Sequence, residues 1–180
     1  MIHISAGHNT GGLKPDPGAS GNGYNEADLT VIQRNLTTLE LQKLNVPFIT
    51  DKDTERLGEY LSRINTGNGS VVLEYHFDAF NGFAGGCTSL VGDDANQQDK
   101  DFAKEIVDIT ANTLKIQNRG VKAESESHRG KLGLMRESGA VCLLEVCFID
   151  NVKDIALWLQ NKEKLAVEIA KILKKYEEQI

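Results

Sequence analysis

The segment from Ala140 to Phe148 reads AVCLLEVCF, and only one of its residues is charged. A near-continuous apolar run of that kind is expected for a strand covered on both faces. A second run, VVLEYHFD from Val71 to Asp78, has the same character. Buried strands that alternate with helical segments imply a mainly parallel, twisted sheet with helices on both faces, so the fold class is α/β. With 180 residues the chain can build one such domain with a real core and is too short for two, so residues 1–180 are expected to form a single domain.

The remaining segments fill in that plan. Ile2 to Ser5 reads as a first strand, followed by a loop from Gly7 to Tyr24 rich in Gly, Pro, Asn and Asp. Loops of that length in small domains are usually functional. Asn25 is placed to cap a helix, with Asp28 in the capping-box position. Leu29, Ile32, Leu36 and Leu39 then recur at helical spacing, to about Lys43. Pro47–Thr50 reads as a short strand, Thr54–Ile64 as a helix and Gly86–Val91 as a strand. Gln97–Leu114 reads as a helix with Phe102, Ile106, Ile109 and Thr113 on one side. Gly120–Lys122 and Leu132–Arg136 read as short strands around a polar loop. Two helical stretches close the chain, the second with Leu165, Ile169, Ile172 and Tyr176 inward.

Bulk properties narrow the function. A formal net charge of −6 argues against general nucleic-acid binding, which needs clustered cations against phosphates. No apolar run is long enough to span a bilayer, so no membrane insertion is expected. The N-terminus lacks the basic start and apolar stretch of a signal peptide. Three cysteines, Cys87, Cys142 and Cys147, offer no disulfide framework. Cys142 and Cys147 lie five apart on one strand and are expected on opposite faces.

Ligands of α/β sheets collect at the carboxyl ends of the strands, and there the chain carries polar residues that the fold does not need. His8 follows the first strand, and His76 lies near the end of the second apolar run. Glu26 opens the first helix, where the helix dipole alone would account for it. Glu145 is harder to explain structurally, because a carboxylate buried in a doubly covered strand is costly without a compensating cation or hydrogen bonds. Two His and one Glu form a three-ligand set used by catalytic zinc, which leaves a fourth position for water. A second carboxylate nearby can take a proton from that water.

The motifs around these residues resemble the zinc-dependent N-acetylmuramoyl-L-alanine amidases, the family often called amidase type 3. SAGHNTGGLKPDPGASGNGYNEADL is similar to the family's opening motif, EYHFDAF to its second-His motif, and NRGVK and LGLMR to its Arg-Gly-Val and Leu-Arg segments. CLLEVCFIDN resembles the closing motif, in which a buried strand carries the catalytic Glu. The resemblance spans essentially the whole chain. It implies that His8, Glu26 and His76 hold Zn²⁺ and that Glu145 is the catalytic acid/base. The implied partner is peptidoglycan, and the implied reaction hydrolyses the amide joining the lactyl group of N-acetylmuramic acid to L-alanine. Cys147 stands where the family usually has glycine, and a small buried thiol is the expectation there. Glu74 stands where a small or hydroxyl residue is common, either partnering His76 or facing solvent. His128, in the polar loop AESESHRGK, is expected to be solvated.

Three rivals stay open: another zinc hydrolase such as a peptidase or deacetylase, a cysteine amidase, and a wall-binding domain without activity. The expected setting is a phage lysin made in the bacterial cytoplasm and released to the wall by a membrane-permeabilising partner such as a holin, ahead of a catalytic domain excised from a longer exported enzyme. Some exported members of the family carry an inserted helix after the second-His motif that plugs the cleft. The short Gly/Ala-rich segment from Phe80 to Gly86 leaves no room for one, so an open cleft is expected.

Overall fold

In the computed structural model, which describes residues 1–11 and 15–179, the two apolar runs lie side by side as parallel strands. The chain runs through β1 (Ile2–Ala6), a small antiparallel pair β2 (Ser20–Gly21) and β3 (Tyr24–Asn25), α1 (Glu26–Lys43), β4 (Phe48–Thr50) and α2 (Leu57–Arg63). It continues through β5 (Val71–Asp78), β6 (Cys87–Val91), α3 (Gln97–Leu114) and β7 (Asn118–Ala123). Two 3₁₀ turns (Glu124–Glu126 and Gly133–Arg136), β8 (Ala140–Phe148) and α4 (Val152–Gln179) complete it. The main sheet has the order β4-β1-β5-β8-β6-β7. The first four of these strands are parallel; β6 runs antiparallel to β8, and β7 parallel to β6. The sheet is therefore mainly parallel, in an α/β domain.

Side-chain alternation along β5 divides the two faces. Val71, Leu73, Tyr75 and Phe77 join the large core with Leu29 of α1, Phe102 and Ile106 of α3, and Trp158 and Leu165 of α4. Val72, on the opposite face, packs with Leu90, Val141 and Leu143 against Leu134 of the second 3₁₀ turn and Leu61 of α2. Three long helices thus cover one face, and a seven-residue helix and a turn cover part of the other. The thinly covered face also receives Glu74 and His76 by alternation.

Several expectations need correction. The inner face of α1 is largely polar: Ile32 and Leu39 are exposed, whereas Gln33, Arg34 and Thr37 are buried beside Leu29 and Leu41. Each buried group has a partner. Trp158 Nε1 donates to Gln33 Oε1 at 2.8 Å, Thr37 Oγ1 meets Tyr75 Oη at 2.8 Å, and Arg34 pairs with Asp51 and Asp53. Asn25 caps α1 by position only; its Oδ1 accepts from Ser20 Oγ instead of an α1 amide. The helix expected over Thr54–Ile64 shortens to α2, and Leu132–Arg136 forms a 3₁₀ turn, not a strand. The two closing helices are one continuous α4. Cys142 and Cys147 join the same core because β8 carries an extra residue. His76 pairs with Glu145 but Asp78 with Phe148, a bulge that resets the alternation. All three thiols are free. Part of the glycine loop expected from Gly7 to Tyr24, residues 12–14, lies outside the described residues.

Among the described residues no helix is long and apolar enough to cross a membrane. None lies between β5 and β6, where a plug would be inserted.

Candidate metal centre

The elements bring His8, Glu26 and His76 together at the carboxyl ends of β1 and β5. Each offers a donor atom, and these three atoms lie within 4.8 Å of one another. His8 leaves β1 with φ at 67°, a left-handed conformation uncommon for a residue with a side chain. The preceding Gly7 is fixed by Gly7 N donating to Tyr75 O and Thr30 Oγ1 donating to Gly7 O, both at 2.8 Å. A Cβ on Gly7 would stand 2.3 Å from His76 Nε2. Gly18, at φ +66°, is equally constrained, since its Cβ would stand 2.5 Å from Glu26 Oε2. These two glycines let the backbone pack directly against the ring and the carboxylate.

Glu26 is the first residue of α1 and is buried. Its Oε1 accepts from Phe77 N at 3.1 Å and lies 2.8 Å from His76 Nδ1. Its Oε2 accepts from Ala19 N at 2.8 Å and lies 3.1 Å from His8 Nε2. Burial would raise the Glu26 pKa, but the hydrogen bonds and charges of His76 and His8 outweigh it and hold the group well below the usual carboxylate range. The two rings meet edge to face, with centroids 5.0 Å apart.

Glu74 is buried, with Oε1 3.1 Å from His76 Nε2 and Oε2 accepting from Ser5 Oγ at 3.0 Å. Of the two expectations for Glu74, the structure supports the partner of His76 and not the solvent-facing residue. Burial would lower the His76 pKa, but Glu26 and Glu74 on its two nitrogens, with Glu145 nearby, push it up to about 10. Without a metal, His76 is therefore an imidazolium at neutral pH. Glu145 is the register neighbour of His76 on β8 and of Thr88 on β6. Burial pushes its carboxyl up to about 8, and Oε2 is buried without a hydrogen-bond partner.

Two contacts in this site had no periodic signal in the sequence to find them by. Asp16 Oδ2 lies 2.9 Å from His8 Nδ1. Arg129 Nη2 donates to His8 Nε2 at 3.1 Å. Asp16 and Arg129 both lie in loops, where composition alone marks no role. A cleft of about 450 Å³ opens beside the site, lined by Glu26, His76, Glu145, Arg119, Lys122 and His128, among others. His128 is exposed on its rim, as expected of a solvated side chain.

This donor set suits a divalent cation. Two imidazoles and a carboxylate converge, carboxylates back both rings, and an orphaned carboxylate oxygen stands beside them. The thiols offer no competing nucleophile: burial pushes Cys87 up to about 12 and Cys142 and Cys147 well above the usual thiol range.

A family model described as N-acetylmuramoyl-L-alanine amidase matches residues 2–175. No curated protein sequence matches the chain. Among solved structures, Cwp6 from Clostridium difficile superposes with a TM-score of 0.79 at 23% identity. That match covers 97% of this chain but 28% of Cwp6, so the chain spans little more than a quarter of that protein. The catalytic domain of the CD27L endolysin targeting Clostridia difficile gives a TM-score of 0.73 at 21% identity, covering 97% of this chain and 96% of that one. The N-acetylmuramoyl-L-alanine amidase AmiC2 of Nostoc punctiforme gives 0.77 at 20% identity, covering 97% and 95%.

Proposed function

The chain belongs to the N-acetylmuramoyl-L-alanine amidase family, and from that premise we propose that it hydrolyses the lactyl–L-alanine amide of peptidoglycan as a zinc enzyme. In this reading residues 1–180 act as one catalytic domain. The observation that carries the metal assignment is the convergence of the His8, Glu26 and His76 donor atoms within 4.8 Å. These three would hold the zinc. When bound, zinc supplies Lewis acidity, polarising the scissile carbonyl and acidifying water.

The protein's own groups supply the rest. Glu74 and Asp16 hold the two imidazoles from behind and fix which nitrogens face the cleft. Glu145, on the strand beside His76, takes a proton from the attacking water and delivers it to the alanine nitrogen as the C–N bond breaks. A carboxyl whose pKa is raised by burial suits a group that must both accept and release a proton. Leu90 and Leu143, buried on the cleft wall, flank the carboxylate with apolar surface.

The setting proposed is lysis, with the chain reaching the wall through a membrane-permeabilising partner; the fold shared with an endolysin catalytic domain supports it. Digestion of purified peptidoglycan followed by mass spectrometry of the products tests the activity. The expected products are intact glycan strands and stem peptides with a free alanine N-terminus. Free acetate would instead identify a deacetylase, and cuts within the stem a peptidase. No product at all from zinc-loaded protein would leave only a wall-binding role.

A further inference from the structure

The metal centre occupies one end of the cleft, and the wall formed by β7 has a different chemistry. Arg119 and Lys122 both line it. Some cations elsewhere in this acidic chain are neutralised: Arg34, Arg63, Lys104 and Lys175 each pair with a carboxylate. Arg119 and Lys122 have no carboxylate within salt-bridge distance among the described residues. The two acids on the same wall are turned to backbone amides, Asp78 Oδ1 accepting from Ala79 N and Glu126 Oε2 from Ala123 N, each at 2.8 Å.

Arg119 is also held in place. Its guanidinium stands 5.1 Å from the centroid of the Phe148 ring, and Nη1 donates to Gly85 O at 3.3 Å. Its Nε is buried without a partner. A guanidinium fixed on an aromatic face, with donors to spare, is built to receive a planar anion. Lys122 is in register with Leu90 on β6, and Leu90 with Leu143 on β8, two residues before Glu145 and on its face. Two strand spacings put β7 about 10 Å from β8. That distance is about three residues of extended peptide.

We infer that Arg119 and Lys122 bind a free carboxylate on the second or third residue of the stem peptide, and so make the enzyme selective for acidic stems over amidated ones. The inference rests on the amidase reading, because it takes the peptide to run from the metal centre towards β7. A carboxylate there meets two cations that make no salt bridge; an amide leaves them only the longer-range charge of Asp78.

The test is binding of free stem peptides, blocked at the C-terminus, to the zinc-loaded protein by calorimetry. The peptides carry the second or the third side carboxylate either free or amidated. Wild-type protein is expected to prefer one acidic peptide about 10- to 100-fold, the range for a charge-assisted hydrogen bond, and the amidated positions tell which residue is read. Arg119→Gln and Lys122→Gln should each weaken that peptide about 10-fold and leave the amidated one unchanged, while Arg119→Lys retains part of the preference. Lys122→Gln, on a half-buried side chain, keeps the test valid if Arg119→Gln fails to fold. Equal binding of acidic and amidated peptides, or equal losses for both in the variants, overturns the inference. Product analysis separates this from the parent reading. Cleavage at the lactyl–alanine bond without acid preference sinks the inference alone, and no cleavage there sinks the amidase assignment itself.

Discussion

Removing the Glu74 carboxylate tests whether the second contact of His76 matters to metal binding. Glu74 stands 3.1 Å from His76 Nε2, is buried, and is itself held by Ser5. Glu74→Gln keeps the shape and an acceptor oxygen but removes the charge. Carboxylates behind a metal-bound imidazole are worth about 10- to 100-fold in metal affinity, or about 1.4–2.7 kcal/mol. The same charge also favours the proton that competes with the metal. With its pKa pushed up to about 10, His76 must lose a proton before it can bind a metal, so wild-type affinity should rise about tenfold per pH unit from pH 6 to 9. In Glu74→Gln the His76 pKa falls, the competition weakens, and the curve flattens earlier.

The two curves should therefore lie close together near pH 6 and diverge towards pH 9, with the variant the weaker binder. Glu145, raised to about 8, titrates in the same window and is coupled to the His76 charge, so the two curves are compared in a Glu145→Gln background. Competition against a chelating dye, with zinc at each pH, measures this directly. Parallel curves, or equal affinity throughout, would show that Glu74 is filler beside the site and refute the reasoning.

Other expectations follow from the same geometry. Glu145→Gln should keep zinc and fold while losing about 100-fold or more in kcat, as zinc content and peptidoglycan turnover will show; loss of zinc would instead make Glu145 a ligand. His8→Ala and His76→Ala should abolish both zinc binding and activity, and prolonged chelation with dialysis should silence the wild type until zinc is restored. Arg129→Ala should tighten zinc binding about 3- to 10-fold, because its guanidinium engages His8 Nε2, an atom proposed to face the metal; weaker binding in that variant would make Arg129 a support. With no helix between β5 and β6, the zinc-loaded protein should clear purified peptidoglycan without an added protein, and silence until one is supplied would contradict this.

Some of this was legible in the residues and some was not, for physical reasons. The buried strands announced themselves, because a strand covered on both faces leaves few positions for polar side chains, so Glu145 and His76 stood out in β8 and β5. Periodicity found α1 and its end near Lys43 but misplaced part of its inner face. Its inner face is built from Thr37, Gln33 and Arg34, and these are buried only because Tyr75, Trp158 and Asp51 meet them from other elements. The bulge that turns Cys147 into the same core as Cys142 is likewise a property of the pairing of β5 with β8 and not of either strand alone.

The same distinction explains why the site's first residues were readable and their supports were not. His8, Glu26, His76 and Glu145 are conspicuous because burying them is costly and the surrounding sequence is apolar or glycine-rich. Asp16 and Arg129 lie in stretches where polar residues are ordinary, and the tertiary structure alone brings them to the site; Arg119 and Lys122 lie in the NRGVK segment, whose motif gave no place on the cleft wall. Three long helices bury one face of the sheet, while one short helix and a turn cover the other in part. The alternation of β5 and β8 sends Glu74, His76 and Glu145 to that thinner side. Covering it with a fourth long helix would improve burial and close the cleft. The sparse cover on this face is what leaves a half-buried carboxylate and two imidazoles within reach of a substrate.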